Sequence, residues 1–283
     1  MEKILLNQET EASITKAKDV NQITWEYLRL YWYVFLPLLI GGIATLKIGW
    51  LHSNEKLLNI GVITLCAEIF VLIIGYIYAR QQAKKYFTKR LAVSMGCSFT
   101  DFKVVDSSST ILFKFGINKR LSIPTSWKKN IFNILSGNFI NFPFRFYNYQ
   151  TMISENRMMG SGEIGFMTIN FTVLEITYTQ NLPPIFINNR WSFFYPERDL
   201  LDSKEIILQP EVNRYQKIYS KDDLSSTLRD SLGKILDELS RIDKRILIEF
   251  SENKIYIIKD KIITKKKDLI SFFKVADFII NNL

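Results

Sequence analysis

Two apolar stretches nearly touch in this sequence. Leu30 to Leu46 carries no charged side chain and runs on through Lys47 to Leu51, and Leu57 to Ala79 is 23 residues long with Glu68 as its sole charge. Each has about the 20 residues that a helix needs to cross the hydrocarbon core of a bilayer. Tyr31, Trp32 and Tyr33 stand at one edge of the first stretch and Trp50 at the other, and Tyr76 and Tyr78 lie near the end of the second. Amphipathic aromatics of this kind settle at the headgroup level. Residues Leu51 to Lys56 leave room for a tight turn and nothing more, so the spacing predicts an antiparallel transmembrane helical hairpin over residues 30–79.

The basic residues orient that hairpin. Arg80, Lys84, Lys85, Lys89 and Arg90 follow the second stretch with no acid among them, whereas the turn offers Lys56 beside Glu55. The excess of Lys and Arg marks the cytoplasmic side. The expectation is a multi-pass protein of the inner membrane with both termini cytoplasmic. Residues 1–29 hold no apolar run of signal-peptide length and read as a cytoplasmic lead-in. The five cations at 80–90 form a basic helical stalk over residues 80–96 that attracts anionic lipid, at about 1 kcal/mol for each Lys or Arg near the surface. The stalk helix continues through Ala83, Tyr86, Phe87, Leu91 and Val93 and is expected to stop near Gly96.

Composition then excludes much of the usual chemistry. One histidine, His52, and two cysteines, Cys66 and Cys97, fall short of the four ligands of a structural zinc site, and His52 lies in the turn, away from any nucleophile. Free thiols are expected, with Cys66 a small packing residue inside the second helix. No cofactor and no metal are predicted. The formal charge of +9 permits acidic partners, but residues 91–283 carry only +5 of it, and no nucleic-acid motif accompanies the basic and aromatic residues at Trp127-Lys128-Lys129 or Phe144-Arg145-Phe146-Tyr147. A half-buried sheet gives the same interleaving, so nucleic acid is not an expected partner.

Residues 97–283 read as a β-rich α+β domain. Strands are predicted at Phe102–Val105, Ile111–Phe115, Phe139–Tyr149 and Phe166–Tyr178 from their β-branched and aromatic content. Phe142, Phe144 and Phe146 alternate with Pro143, Arg145 and Tyr147 as one buried and one open face, and Pro143 suggests an edge strand. Leu182-Pro183-Pro184 marks a turn, with Ile185–Ile187 resuming the strand. Leu224, Leu228, Leu232, Leu236 and Leu239 give an amphipathic helix behind Asp222 and Asp223. Arg245–Phe250 and Lys254–Lys259, separated by Ser251-Glu252-Asn253, read as a hairpin. A closing helix carries Leu269, Phe272, Phe273, Ala276, Ile279 and Ile280, led by the solvated Lys265-Lys266-Lys267.

This order of features resembles uncharacterised bacterial two-helix membrane proteins with a cytoplasmic α+β domain, of the DUF3137 kind. The residues that carry the likeness are Leu91-Ala92 after the helical hairpin, Phe144-Arg145-Phe146-Tyr147-Asn148-Tyr149, Thr172-Val173 ahead of Leu182-Pro183, Tyr215-Gln216-Lys217-Ile218-Tyr219, and Ile255-Tyr256-Ile257. The segment Ile117–Asn138 offers little to match. The resemblance implies a membrane-anchored cytoplasmic α+β domain and brings no catalytic residues with it.

Four features remain as site candidates. Gly160-Ser161-Gly162-Glu163-Ile164-Gly165 fits GxGxxG, but strand pattern follows it where a dinucleotide fingerprint needs a helix, so it reads as the tip of a β-hairpin. Glu197, Asp199 and Asp202 form an acidic cluster that reads as loop solvation. Glu68, near mid-bilayer, is costly if charged and lipid-facing, so it is expected to be protonated or to face a helix interface or a watery path. Lys47 is its nearest formal partner, at a height about 10 Å away along the helix axes. Gly41, Gly42, Ala44, Gly61 and Gly75 permit close helix contact, and Pro37 kinks the first helix. The membrane and assembly candidates are therefore Glu68, Lys47, Arg80, Lys84, Lys85, Lys89 and Arg90. The function expected is a non-enzymatic interaction or scaffold module at the cytoplasmic face, with a protein partner or a second copy. The alternatives are a carboxylate-dependent enzyme acting on a lipid or envelope precursor, and a channel or transporter subunit built around Glu68.

Overall fold

In the computed structural model the chain divides into two compact units, residues 17–87 and residues 88–283 together with 1–16. The described residues are 12, 14–15, 18–105, 129–139, 142–155, 165–189, 204–208, 216–220, 222–242 and 246–283.

The first unit is a helical hairpin. Helix α1 spans Val20–Leu51 and starts where the Asp19 N–H donates to Gln22 Oε1 at 2.9 Å. Pro37 lies in its interior and cannot donate to the Tyr33 carbonyl, and α1 bends by 52° between Val20–Tyr33 and Phe35–Leu51. The helix ends in a Schellman pair: Asn54 N–H donates to Gly49 O at 2.8 Å and Ser53 N–H to Trp50 O at 3.3 Å. Ser53 takes the left-handed position, φ +47°, that glycine usually fills. Asn54 then caps the next helix, its Oδ1 accepting from Lys56 N–H at 3.1 Å and Leu57 N–H at 3.3 Å.

Helix α2 spans Glu55–Ser94, 40 residues. It stops as the sequence predicts, at Gly96 with φ +63°, where Cys97 N–H donates to Ala92 O at 2.8 Å and Gly96 N–H to Val93 O at 3.2 Å. By length and apolarity α2 is fit to cross a membrane, and the two segments of α1 meet that standard together. What separates α2 from the core helix of a water-soluble protein is exposure. Ile63 and Phe70 are 67% and 64% exposed, and Ile60, Val62, Ile69, Val71, Ile73, Ile74 and Ile77 stand open around the same helix. Apolar surface of this extent needs a cover other than water.

The second unit is α+β, built on one antiparallel seven-stranded sheet. Its strands are β1 Ser98–Val105, β2 Lys129–Phe139, β3 Phe142–Glu155, β4 Gly165–Asn189, β5 Lys204–Ile206, β6 Gln216–Ser220 and β7 Ile246–Lys259. The order is β1-β2-β3-β4-β6-β5, with β7 on the other edge of β4. Helices α3, Ser226–Ile242, and α4, Lys266–Asn282, pack against each other. Ser225 Oγ caps α3 by accepting from Leu228 N–H at 3.3 Å, and Leu232, Ile235, Leu236 and Leu239 form its buried stripe. Phe272 and Phe273 of α4 meet Phe146 of β3, with ring centroids 6.4 and 5.8 Å away. The link from β7 to α4 is tied to the sheet by Thr172, whose Oγ1 donates to Lys261 O at 2.9 Å and accepts from Ile263 N–H at 2.9 Å.

Several expectations change in physical detail. Phe139–Tyr149 is not one strand: Phe139 ends β2 and pairs with Phe142, the first residue of β3. Strand β3 is internal rather than an edge, and Pro143 is tolerated because β3 and β4 begin to pair only at Phe144↔Ile176. Tyr147 is fully buried, so the second face of β3 is covered as well, in a cluster with Ile131, Tyr149, Phe171, Val173 and Ile258.

The chain does not turn at Leu182-Pro183-Pro184. Strand β4 continues through it, pairing with β3 up to Ile176 and with β6 from Ile185 along the same edge. The prolines fall in the gap, where the ladder to β7 also shifts register on either side of Leu182, so the missing N–H groups interrupt no regular pairing. For the same reason Arg245–Phe250 and Lys254–Lys259 are not a hairpin. Residues 246–250 and 254–259 are the two halves of β7, which passes the β4 irregularity at Glu252. The β3–β4 hairpin is as expected, Glu155 pairing with Gly165. Its tip at 160–164, the Ile111–Phe115 strand, Trp127-Lys128 and the acidic residues Glu197, Asp199 and Asp202 lie outside the described residues.

Candidate functional site

Three glycines set the contact between α1 and α2. A Cβ on Gly61 would lie 2.7 Å from Leu46 Cγ and 3.0 Å from Leu46 N. One on Gly49 would lie 2.8 Å from the Leu58 backbone nitrogen, and one on Gly42 would lie 3.0 Å from Leu65 Cδ2. Absent side chains thus let the two backbones approach, the usual basis of helix packing in lipid. Gly42 and Gly61 act as the sequence suggests, whereas a Cβ on Gly41 or Gly75 meets nothing within 4 Å. Gly49, seven residues after Gly42, was missed in the sequence. Cys66 is a free thiol as expected, but it is exposed and not a packing residue.

Glu68 lies in this contact. It is 6% exposed, its Oε1 is 3.7 Å from the position of a Cβ on Gly42, and neither carboxylate oxygen has a hydrogen-bond partner among the described residues. Lys47 is exposed and does not meet it. The Leu46–Gly61 contact puts Lys47 level with about residue 60 of α2, roughly 12 Å from Glu68 at 1.5 Å per residue.

The stalk cations sort by face. Ala79, Ala83, Phe87 and Leu91, four apart, are buried on one side of α2; Arg80, Lys84 and Lys85 are half-buried beside them, and Lys89 and Arg90 are exposed. Arg80 donates from Nη1 to the Tyr76 hydroxyl at 3.2 Å and holds its guanidinium 5.9 Å from the centre of that ring. Burial, and then the nearby charge of Arg80, push the Lys84 ammonium below the usual lysine range.

Beyond the glycine contact the two helices frame an apolar recess of about 180 Å³, lined by Trp25, Trp32 and Phe35 on one side and Leu72, Gly75 and Tyr76 on the other. Trp25, Leu28, Trp32 and Phe35 recur at one helical face, and of these only Trp32 was read in the sequence, as part of an aromatic belt.

The sheet holds a second polar arrangement that no spacing announced. Arg145, Glu175 and Tyr256 pair in one row across β3, β4 and β7. Glu175, 3% exposed, accepts from Lys254 Nζ at 2.8 Å and lies 3.7 Å from Arg145 Nη1. Arg145 also stands 5.7 Å from the Tyr147 ring centre. Burial, then the Glu175 charge, raise the Tyr147 phenol well above its ordinary value. Among the described residues no group of three His, Cys, Asp or Glu side chains is placed to hold a metal ion.

No family model matches the chain, and no curated protein matches it. Among solved structures it is similar to the crystal structure of the mycobacterial trehalose monomycolate transport factor A, TtfA, at 9% identity and a TM-score of 0.46, over 71% of this chain and 96% of that one.

Proposed function

We propose that the chain is a membrane-anchored, non-enzymatic interaction module. In this reading the hairpin of residues 30–79 crosses the bilayer, the basic stalk of residues 80–96 rests on anionic headgroups, and the α+β domain of residues 97–283 stands at the cytoplasmic face and binds a protein partner or a second copy. The observation that carries it is the exposed, all-round apolar surface of α2, which lipid covers at no cost and water does not. The cations Arg80, Lys84, Lys85, Lys89 and Arg90 support the cytoplasmic side, and the resemblance to the DUF3137 kind belongs to the same proposal.

Two features favour binding over catalysis. Several described carboxylates of the sheet unit sit in ion pairs: Glu175 with Lys254, Glu205 with Lys217, Asp237 with Arg241, and Asp268 with Lys261. The buried acid of the hairpin, Glu68, has no such partner among the described residues and lies in the hairpin's own contact against Gly42, which supports a packing role. The test is purification of the full chain from its native membranes in mild detergent, read by native mass and protein mass spectrometry. A partner at fixed stoichiometry, or a homo-oligomer of one defined mass, is the expected result. A monodisperse monomer with no partner contradicts the module.

A further inference from the structure

The recess between the two helices has a shape and a chemistry that the hairpin itself does not need. Its origin is local. Pro37 lies beside the 52° bend of α1, and across the recess α2 presents Gly75, where a Cβ would meet nothing within 4 Å. The walls are aromatic and aliphatic, and the volume, about 180 Å³, is smaller than the roughly 300–1,000 Å³ of a site that encloses a whole small molecule. A recess of that size takes a segment of a longer apolar chain.

One end of it is charged. Tyr76 lines the recess, and its hydroxyl and ring hold Arg80, one helical turn further on. The Arg80 Nε–H is buried and has no acceptor among the described residues, an unmet donor of a kind that folded proteins seldom leave. Lys84 adds a second cation one turn beyond. From Leu72 to Arg80 the helix rises about 12 Å at 1.5 Å per residue, so the apolar walls and the guanidinium are spaced as the upper acyl region and the headgroup of one leaflet are.

An apolar slot that ends at a cation with a spare donor suits a ligand with an apolar chain and an anionic, oxygen-rich head. We propose that this recess holds one acyl chain of an acidic phospholipid, with Arg80 donating to the phosphate of its headgroup. The inference rests on the reading of the hairpin as a membrane span, and it joins Pro37, Gly75 and Arg80 in a single site. The bend opens the slot, the missing side chain keeps it open, and the guanidinium selects the charge.

The full chain, reconstituted with phosphatidylglycerol or with phosphatidylcholine and released into mild detergent, is probed by native mass spectrometry for retained lipid. The expected result is one phosphatidylglycerol per chain, with phosphatidylcholine retained about tenfold less. Gly75→Leu, whose Cβ meets nothing within 4 Å and whose side chain occupies the slot, should reduce retention of phosphatidylglycerol by about tenfold. Arg80→Gln should remove the preference between the two lipids. Gly41→Leu, also in open space but outside the recess, should behave as the parent. Equal retention of both lipids by the parent chain, or full retention by Gly75→Leu, overturns the proposal. Carbonate washing of the source membranes separates the two levels: a chain that washes off contradicts the membrane span itself, and a chain that stays but retains no phospholipid contradicts this inference alone.

Discussion

Glu68 and Glu175 are both more than nine-tenths buried, yet they have opposite surroundings. Glu175 sits in a row of the sheet where Arg145 and Tyr256 stand directly across from it and Lys254 reaches its Oε1 at 2.8 Å. Glu68 faces a glycine, with no donor within hydrogen-bond reach among the described residues. The difference lies in what each scaffold can bring to a buried charge. Three strands in register set side chains about 5 Å apart on either hand, and Arg145 and Lys254 remain about a third exposed, so they pair without leaving water. Two helices meet along a single seam, and the hairpin places its cations, Lys47 and Arg80, toward its ends. Packing in the sheet unit rests on apolar burial away from water; packing in the hairpin rests on close backbone approach at Gly42, Gly49 and Gly61.

The comparison breaks most easily at the seam. Gly61→Leu drives a side chain into the Leu46 backbone and should cost about 3 kcal/mol or part the helices. Unfolding of the hairpin in bicelles by steric trapping reads it, with Gly41→Leu near zero as the reference. Next come the two carboxylates. Glu175→Leu leaves Arg145 and Lys254 without their acid and should lower stability by about 2 kcal/mol, less than for a fully buried pair because both cations reach water. Glu68→Leu deletes no partner and should leave the hairpin as stable or more so. Thermal melts of the two variants side by side give the contrast, and equal losses would erase it.

Two smaller effects sharpen the account. The Tyr147 hydroxyl is buried with no partner among the described residues, so Tyr147→Phe should gain about 1 kcal/mol in the sheet unit. Because the folded chain raises that phenol, its contribution is complete below about pH 10, the ordinary tyrosine value, and is lost as the pH climbs toward the raised one. The parent should therefore lose stability above pH 10 more steeply than Tyr147→Phe, as alkaline melts would record. Ser53→Gly relieves a left-handed serine in the helical turn and should add about 0.5 kcal/mol to the hairpin, seen in the same trapping assay.

How far the sequence could be read follows from the same physics. The two helices, their turn and the stop at Gly96 were legible because composition and capping act locally. The glycine seam was legible in part, since which glycines face the partner depends on rotation about each axis. Strand β2 was missed because its alternation is broken from within: Asn133 takes φ +55° and the β2–β3 register shifts between Phe132 and Leu135. Strands β4 and β7 were each cut in two at Pro183-Pro184 and at Glu252, because the irregularity that lets both continue is a property of the pair. The Arg145–Glu175–Lys254 grouping joins residues 30 and 79 positions from Glu175, and only strand register brings them together. The recess depends on the Pro37 bend and the open Gly75 jointly, which neither residue signals alone.

In the proposed arrangement the exposed apolar hairpin spans a bilayer and the α+β unit lies on the cytoplasmic side. In a chain with Cys66 and Cys97 replaced by serine, Ser53→Cys and, separately, Asn282→Cys are treated in intact cells with a membrane-impermeant maleimide. The account predicts that Ser53→Cys is labelled from outside and that Asn282→Cys is labelled only after permeabilisation. Labelling of Asn282→Cys in intact cells, or protection of Ser53→Cys until the membrane is opened, would contradict it.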